Sequence, residues 1–323
     1  MSDLKLGWIT PSLRTKQQNE LHAQSLATMA PRFTLDGKPN QLAPGEKILL
    51  TDAWKNPTVV AEVGMVFPRF HQLTGSCVGA GGGQALFTLI AIQRLLAVNP
   101  TKAFIPFWPY SYGRCRANEG DRGQGEGAMG SSFAATVVKE GVISASEPGL
   151  PQFQNNDGLV LTSSLEYQWS DGNSSLVTKW IPTGKQHPMG SAAPCNGIED
   201  ILTAISNGYP CTFACDRYIG SASIRGSGSD AAVVGKWDRS GGHQQSVHGV
   251  WYNRTLGPLY WAQNNWPGNT YPADPGGGPI CGNWVTEADV TAAFRYNAEV
   301  YAFSHLAWFP AQPDVQRVLS WEM

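Results

Sequence analysis

The sequence predicts an α+β fold, with helices gathered in the first half of the chain and strands in the second. Three observations carry this reading. Apolar residues recur at helical spacing after position 77 and again after 130. Two adjoining strand-like runs lie between 243 and 266. Turn formers are abundant, with 36 Gly and 22 Pro in 323 residues. Runs of helices followed by runs of strands favour segregated layers over βαβ alternation, and so much glycine and proline argues against a helical bundle.

Residues 1–58 show no sustained period and read as an N-terminal arm. It holds one short helix near Gln18–Met29 and turns at Asp36-Gly37, Lys38-Pro39 and Pro44-Gly45. Such an arm is expected to pack on its own domain or on a neighbouring subunit. A helix follows from Cys77 or Val78 to about Val98. Leu86, Leu89, Ile90, Leu95 and Leu96 form its buried face, and Asn99-Pro100 is its stop. A second helix covers Gly130–Glu140, where Phe133, Val137 and Val138 share a face before Gly141. Residues 151–195 are polar, with turns at Asn155–Gly158 and Asp171–Asn173. A third helix spans Gly197–Ser206, then a strand Pro210–Asp216 and a Gly/Ser-rich loop Gly220–Ser229. The runs His243–Tyr252 and Leu259–Trp266 flank Gly257-Pro258 and predict a hairpin. A hydrophobic content of 42% supports one large domain or two joined lobes. The boundaries expected are 1–58 for the arm, 59–150 for a helical lobe, 151–310 for a β-rich lobe and 311–323 for a tail.

Several function classes are disfavoured. Net charge is −2 and Lys and Arg form no long runs, so neither nucleic acid nor an anionic membrane is an expected partner. No segment has the length and apolarity of a membrane span, and Met1–Arg32 lacks the apolar core of a signal peptide, so synthesis and folding in a cytosol are expected. Six cysteines at irregular spacing, without a CxxC pair, argue against a zinc ribbon or a disulfide framework. No metal and no organic cofactor is implied.

Cys77 has surroundings suited to chemistry. It opens the first long helix, where the positive end of the macrodipole favours thiolate and is expected to lower its pKa. Gly75 and Ser76 allow a tight approach, and Gly79 and Gly81–Gly83 leave room around the first turn. The hairpin supplies the complementary groups. One arm carries His243 and His248, the other Asn264 and Asn265, and an Asn amide beside an imidazole can fix its ring plane and tautomer. Trp266 is placed to shield that bond. His243 is favoured as the base and His248 is the rival. Five residues apart, they face opposite sides of a regular strand, so the other reads as a solvated strand residue. Among the remaining residues, Cys115 reads as structural beside Arg114 and Arg116, Cys211 and Cys215 as packed, and Cys195 and Cys281 as loop thiols. His71 lines the cleft or sits exposed in a loop. Glu119, Asp121 and Glu126 lack calcium-loop spacing and read as solvated. Most of the twelve Trp are expected in the core.

Together these residues resemble the papain-like (C1) cysteine peptidases, in their bacterial and phage form. Gln72-Leu73-Thr74-Gly75-Ser76-Cys77 is similar to the family's glutamine and Gly-Ser-Cys motif. Gly241-Gly242-His243 through Gly249-Val250 is similar to its histidine strand, and Gln263-Asn264-Asn265-Trp266 to its Asn-Ser-Trp motif. The resemblance covers about residues 60–305. It implies a two-lobed fold with a helical first lobe, a β-barrel-like second lobe and a cleft between them. It also implies Cys77 as nucleophile, an oxyanion hole from the Cys77 N–H and the Gln72 side chain, Asn264 as the histidine's orienter, and a peptide or protein substrate. Departures from the pattern are a Gln72-to-Cys77 spacing one residue short, Val78 in place of an aromatic residue, and Pro267 inside the usual Trp-Gly. The segment before residue 59 is shorter than the usual propeptide and is a candidate cover for the cleft. Two alternatives stand beside a cysteine peptidase. One is a phage virion structural or assembly protein on the same fold, with partners through the arm and incorporation into a virion. The other is an amidase acting on cell-wall peptide.

Overall fold

The computed structural model describes residues 7–66, 68, 70–98, 101–121, 123–151, 161–237, 239–266 and 271–320. The Asn155–Gly158 turn, the Asn99-Pro100 stop and Pro267 lie outside them. Eleven helices are formed among the described residues: α1 Lys16–Ala27, α2 Pro57–Val63, α3 Cys77–Leu95, α4 Trp108–Asn118, α5 Gly130–Glu140, α6 Ser163–Ser170, α7 Ser175–Thr178, α8 Ile181–Gly184, α9 Ile198–Ser206, α10 Glu287–Phe294 and α11 Val315–Leu319. The strands are β1 Leu35–Asp36, β2 Lys47–Leu49, β3 Ser191–Pro194, β4 Cys211–Tyr218, β5 Ser221–Arg225, β6 Ala232–Lys236, β7 Arg239–Asn253, β8 Gly257–Gln263, β9 Gly282–Thr286, β10 Glu299–Ser304 and β11 Phe309–Pro310.

The central helix α3 is buried from Cys77 through Gln93. A helix with no exposed stripe must be covered on every side, and α4, α5 and β7 do this. Its glycines are packing residues. A Cβ on Gly82 would fall 2.2 Å from the Phe133 ring of α5, and one on Gly81 would press on the β7 backbone at Gln244 and Gln245, 3.2 Å away. The cost of glycine in a helix interior is thus offset by close approach to its neighbours.

The 15-residue strand β7 is the spine of a nine-stranded sheet ordered β3-β10-β4-β7-β8-β9-β6-β5. Beyond β4 on the same side, β2 of the arm pairs with Gly249–Trp251. Pairings are antiparallel except β6 with β9. The expected barrel-like second lobe is therefore corrected to an open sheet: β3 and β5 end it, and among the described residues no strand joins them. The predicted β7–β8 hairpin forms, with Asn253 opposite Gly257.

Two stretches differ from expectation. The Gly/Ser-rich loop contains β5, an edge strand with a largely exposed Ser-Ala-Ser-Ile-Arg sequence that pairs with β6. Its apolar alternation is weak because neither face meets the core. The polar stretch 151–195 holds three helices that its pattern does not predict, α6, α7 and α8, with the expected turn at Asp171–Asn173 between the first two; Thr162 caps α6 by accepting the Leu165 N–H. The arm packs on its own domain. Phe33 is buried edge-on against Phe309 and Tyr209, and Arg32 pairs with Asp200. Helix α1 is closed by a Thr15–Gln18 capping box. No described helix is long and apolar enough to cross a membrane.

Candidate active site

Cys77 is the first residue of α3 and has no solvent exposure. Its Sγ accepts the Gln244 N–H from β7 at 3.3 Å. Backbone N–H groups of Gly7, Val78 and Cys77 itself also favour its thiolate. The expectation of a lowered thiol pKa is corrected: burial outweighs these donors and pushes the thiol up to about 12. A helix terminus favours thiolate only where the charge is not also stripped of water.

His243 precedes the residue that touches Sγ. Its Nε2 lies 3.1 Å from Asn264 Oδ1. That oxygen also accepts the Asn265 N–H at 2.8 Å, which fixes the amide's orientation. An amide oxygen only accepts, so Nε2 carries the hydrogen and Nδ1 presents a lone pair. Nδ1 is buried with no hydrogen-bond partner among the described residues. The ring stacks on Trp266 at 4.1 Å and 21°, with Tyr218 edge-on to both. Burial draws the imidazole pKa down to about 3, against the opposing pull of Asn264, so it is neutral at ordinary pH.

His248 is not the solvated residue expected of the second histidine. It is fully buried, with Nδ1 3.1 Å from Thr88 Oγ1 and Nε2 2.6 Å from Ser246 Oγ, and its ring meets Trp54 edge-on. Strand β7 is covered on both faces here, and a register shift between Val247 and Gly249 breaks the simple alternation. Gln84 joins this network to the site, accepting from Ser246 Oγ and donating to the Asn264 carbonyl.

Gln72 is buried in the segment leading to the cysteine. Its N–H goes to the Asn265 carbonyl and its Nε2 to the Thr74 carbonyl, each at 2.9 Å. Asn265 donates to the carbonyls of Cys77 and Gln244, which ties α3, β7 and the segment after β8 together. Hydrogen bonds thus link Gln72, Asn265, Gln244 and Cys77 where α3 meets β7, and His243 is bonded to the neighbouring Asn264.

The arm reaches the same place. Trp8 is buried, and its residues run beside Ala128 in a parallel bridge. Ala128 donates to the Gly7 carbonyl at 2.9 Å, Ile9 to the Ala128 carbonyl at 3.0 Å, and Trp8 to the Gly242 carbonyl at 3.4 Å. Gly7 lies so close to the cysteine loop that a Cβ would fall 1.7 Å from the Gly75 oxygen. Arg14 anchors the segment to half-buried Glu299.

Other assignments resolve as follows. His71 is buried, in a small cavity with Trp54, Phe70, Gln84 and Asn264. Glu119 is corrected from solvated to buried: it accepts the Met129 N–H at 2.7 Å and the Cys115 thiol at 3.2 Å. All six cysteines are free. Glu166 is not among the sequence-based candidates; its carboxylate sits behind the cysteine loop and accepts from Leu73, Thr74 and Ser76. A hint was present, since Thr162 before a short Ser-Ser-Leu-Glu run is a helix-start signal. No group of three or more His, Cys, Asp or Glu among the described residues could hold a metal ion.

Comparison with solved structures places the fold. The chain is similar to xylellain, a cysteine protease from Xylella fastidiosa, with a TM-score of 0.54 at 17% identity over 84% of this chain and 91% of that one. It is also similar to a mite allergen from a study of Blo t 1 and Der p 1, with a TM-score of 0.50 at 12% identity over 92% and 85%. No protein-family profile matches the sequence, and no curated protein matches it. The likeness is one of fold, that of the papain-like cysteine proteases.

Proposed function

We propose that this chain is a thiol-dependent hydrolase of peptide bonds, with Cys77 as nucleophile, His243 as base and Asn264 as the residue that orients it. The observation that carries the reading is the tautomer of His243. Asn264 holds Nε2–H, and the lone pair on Nδ1 is buried without a partner among the described residues, on the neighbour of Gln244, whose N–H reaches Cys77 Sγ. His248 has both ring nitrogens engaged by hydroxyls, which suits a core role.

In this mechanism Nδ1 takes the thiol proton as Sγ attacks the substrate carbonyl. The oxyanion is met by the Cys77 N–H and the Gln72 side chain, donors that can each be worth roughly 3–4 kcal/mol in such sites. Collapse breaks the C–N bond, and the imidazolium gives its proton to the leaving amine. Water then hydrolyses the thioester by the reverse proton path. With the arm seated the pair is neutral, a thiol and an imidazole, because each charged form lacks water. Substrate must displace Gly7–Thr10. The closed cleft also suits the alternative of a scaffold with a silent thiol, and chemistry separates the two.

The test is reaction of the protein with a small thiol-directed alkylating agent across pH, read by mass spectrometry at Cys77. Cys77→Ala is the control. Reaction well below pH 8 that is slowed by His243→Ala and not by His248→Ala supports the reading. A Cys77 that stays silent even when the arm is dislodged leaves the scaffold alternative.

A further inference from the structure

We propose that Glu166 is the positioning residue of the oxyanion site, an inference that rests on the reading of Cys77 as nucleophile. Its carboxylate, on α6, is fully buried. Oε2 accepts the Leu73 N–H at 2.9 Å. Oε1 accepts the Thr74 N–H at 3.0 Å, the Thr74 hydroxyl at 2.6 Å and the Ser76 hydroxyl. Among the described residues no cation is paired with it. A buried carboxylate is costly unless its lone pairs are filled, and here every filled one goes to the four residues before Cys77.

Two consequences follow for the reacting groups. The first concerns Ser76, the N-cap of α3. A serine there ordinarily accepts a hydrogen bond from the second or third N–H of the helix. Ser76 makes no such cap and gives its hydroxyl to Glu166 instead. The Ser76–Cys77 peptide, which carries the Cys77 N–H, is thereby held from its serine side. The second concerns Gln72. Thr74 is held by Glu166 through both its N–H and its hydroxyl, and the Thr74 carbonyl in turn receives Gln72 Nε2. One carboxylate therefore sets both donors that the mechanism assigns to the oxyanion. The Gly75 carbonyl is fixed independently by the Tyr112 hydroxyl at 3.0 Å, so losing Glu166 frees the donors without releasing the whole loop.

The test compares two reactions of Cys77 in wild type and Glu166→Gln. A peptide aldehyde adds reversibly: the Sγ–C bond forms, the thiol proton passes to His243, and the carbonyl electron pair becomes an oxyanion. Iodoacetamide alkylates Sγ with loss of iodide and forms no oxyanion. Both need the arm displaced, so their ratio cancels that step. In Glu166→Gln the amide NH2 must face a loop donor. Aldehyde affinity is expected to fall ~100-fold, the scale of one oxyanion donor, while the alkylation rate stays within about threefold. Equal aldehyde affinity in the two proteins overturns the proposal and leaves the hydrolase reading standing. A wild type that reacts with neither reagent overturns both. Should Glu166→Gln fail to fold, Ser76→Ala and Thr74→Val each remove one hydroxyl donor and keep the carboxylate. Both are expected to weaken the aldehyde selectively, and unchanged affinity in both refutes the role.

Discussion

Substituting Gly7 by alanine is the sharpest way to ask whether the arm guards Cys77. The methyl group would fall 1.7 Å from the Gly75 oxygen and 2.1 Å from its carbon. Both are backbone atoms of a loop tied down by Tyr112, Gly127 and Glu166, so the arm must lift. Seating it buries Trp8, whose side chain covers 150–250 Å² at ~25 cal/mol per Å², roughly 4–6 kcal/mol. Three backbone hydrogen bonds add about 1 kcal/mol each. Ordering four residues costs ~1–2 kcal/mol apiece. The balance is about 2 kcal/mol in favour of the closed form, a ~30-fold protection at 1.4 kcal/mol per decade. Iodoacetamide at neutral pH should therefore modify Cys77 up to ~30-fold faster in Gly7→Ala than in wild type. The thiol pKa should also fall, because water reaches Sγ. Rates equal within twofold would refute the argument: Gly7 would then not gate the thiol.

Other predictions concern the buried titratable groups. His248→Asn should lose ~1–3 kcal/mol of stability in urea unfolding by leaving Thr88 and Ser246 short of a partner, with little change in Cys77 alkylation. His243 and His248 both have pKa values drawn down to about 3 by burial, so the unfolded chain binds more protons. Their stabilising contribution is complete above their ordinary 6.5 and is lost as pH falls toward 3. Thermal melts should drop through that window, less steeply in His248→Asn. Glu119 behaves oppositely. Burial raises its pKa to about 8, so its contribution is full below 4.5 and is lost as pH rises through 8. Glu119→Gln, neutral at every pH and still able to accept from Met129 and Cys115, should flatten the alkaline fall in melting temperature.

What the sequence revealed was local. Cys77 announced itself by opening a helix, and the hairpin by two apolar runs about a Gly-Pro turn. The helix over Gly130–Glu140 was read with the bounds it has. What it concealed was set by contacts far along the chain. Glu166 lies 92 residues from Thr74 in a polar stretch, where nothing marks a carboxylate as buried. His248 looked solvated because alternation assumes one wet face, and β7 has none there. The thiol pKa was misjudged because the dipole of α3 is visible in sequence while the desolvation of Sγ is not. The weak pattern of β5 reflects an edge strand that is largely exposed.

The arm meets β7 twice, through Trp8 at Gly242 and through Ile48 and its neighbours at Gly249–Trp251. Lifting the first contact leaves the second in place, so the guard is tethered and never departs. Its local concentration at the cleft is on the order of millimolar. Reclosing is then a first-order event, indifferent to dilution. A soluble peptide copied from Gly7–Thr10 would compete poorly unless supplied at a similar level, and a substrate segment faces the same arithmetic. Selectivity would then depend first on how well a segment outbids an occupant that is always present, and only afterwards on the fit of its side chains.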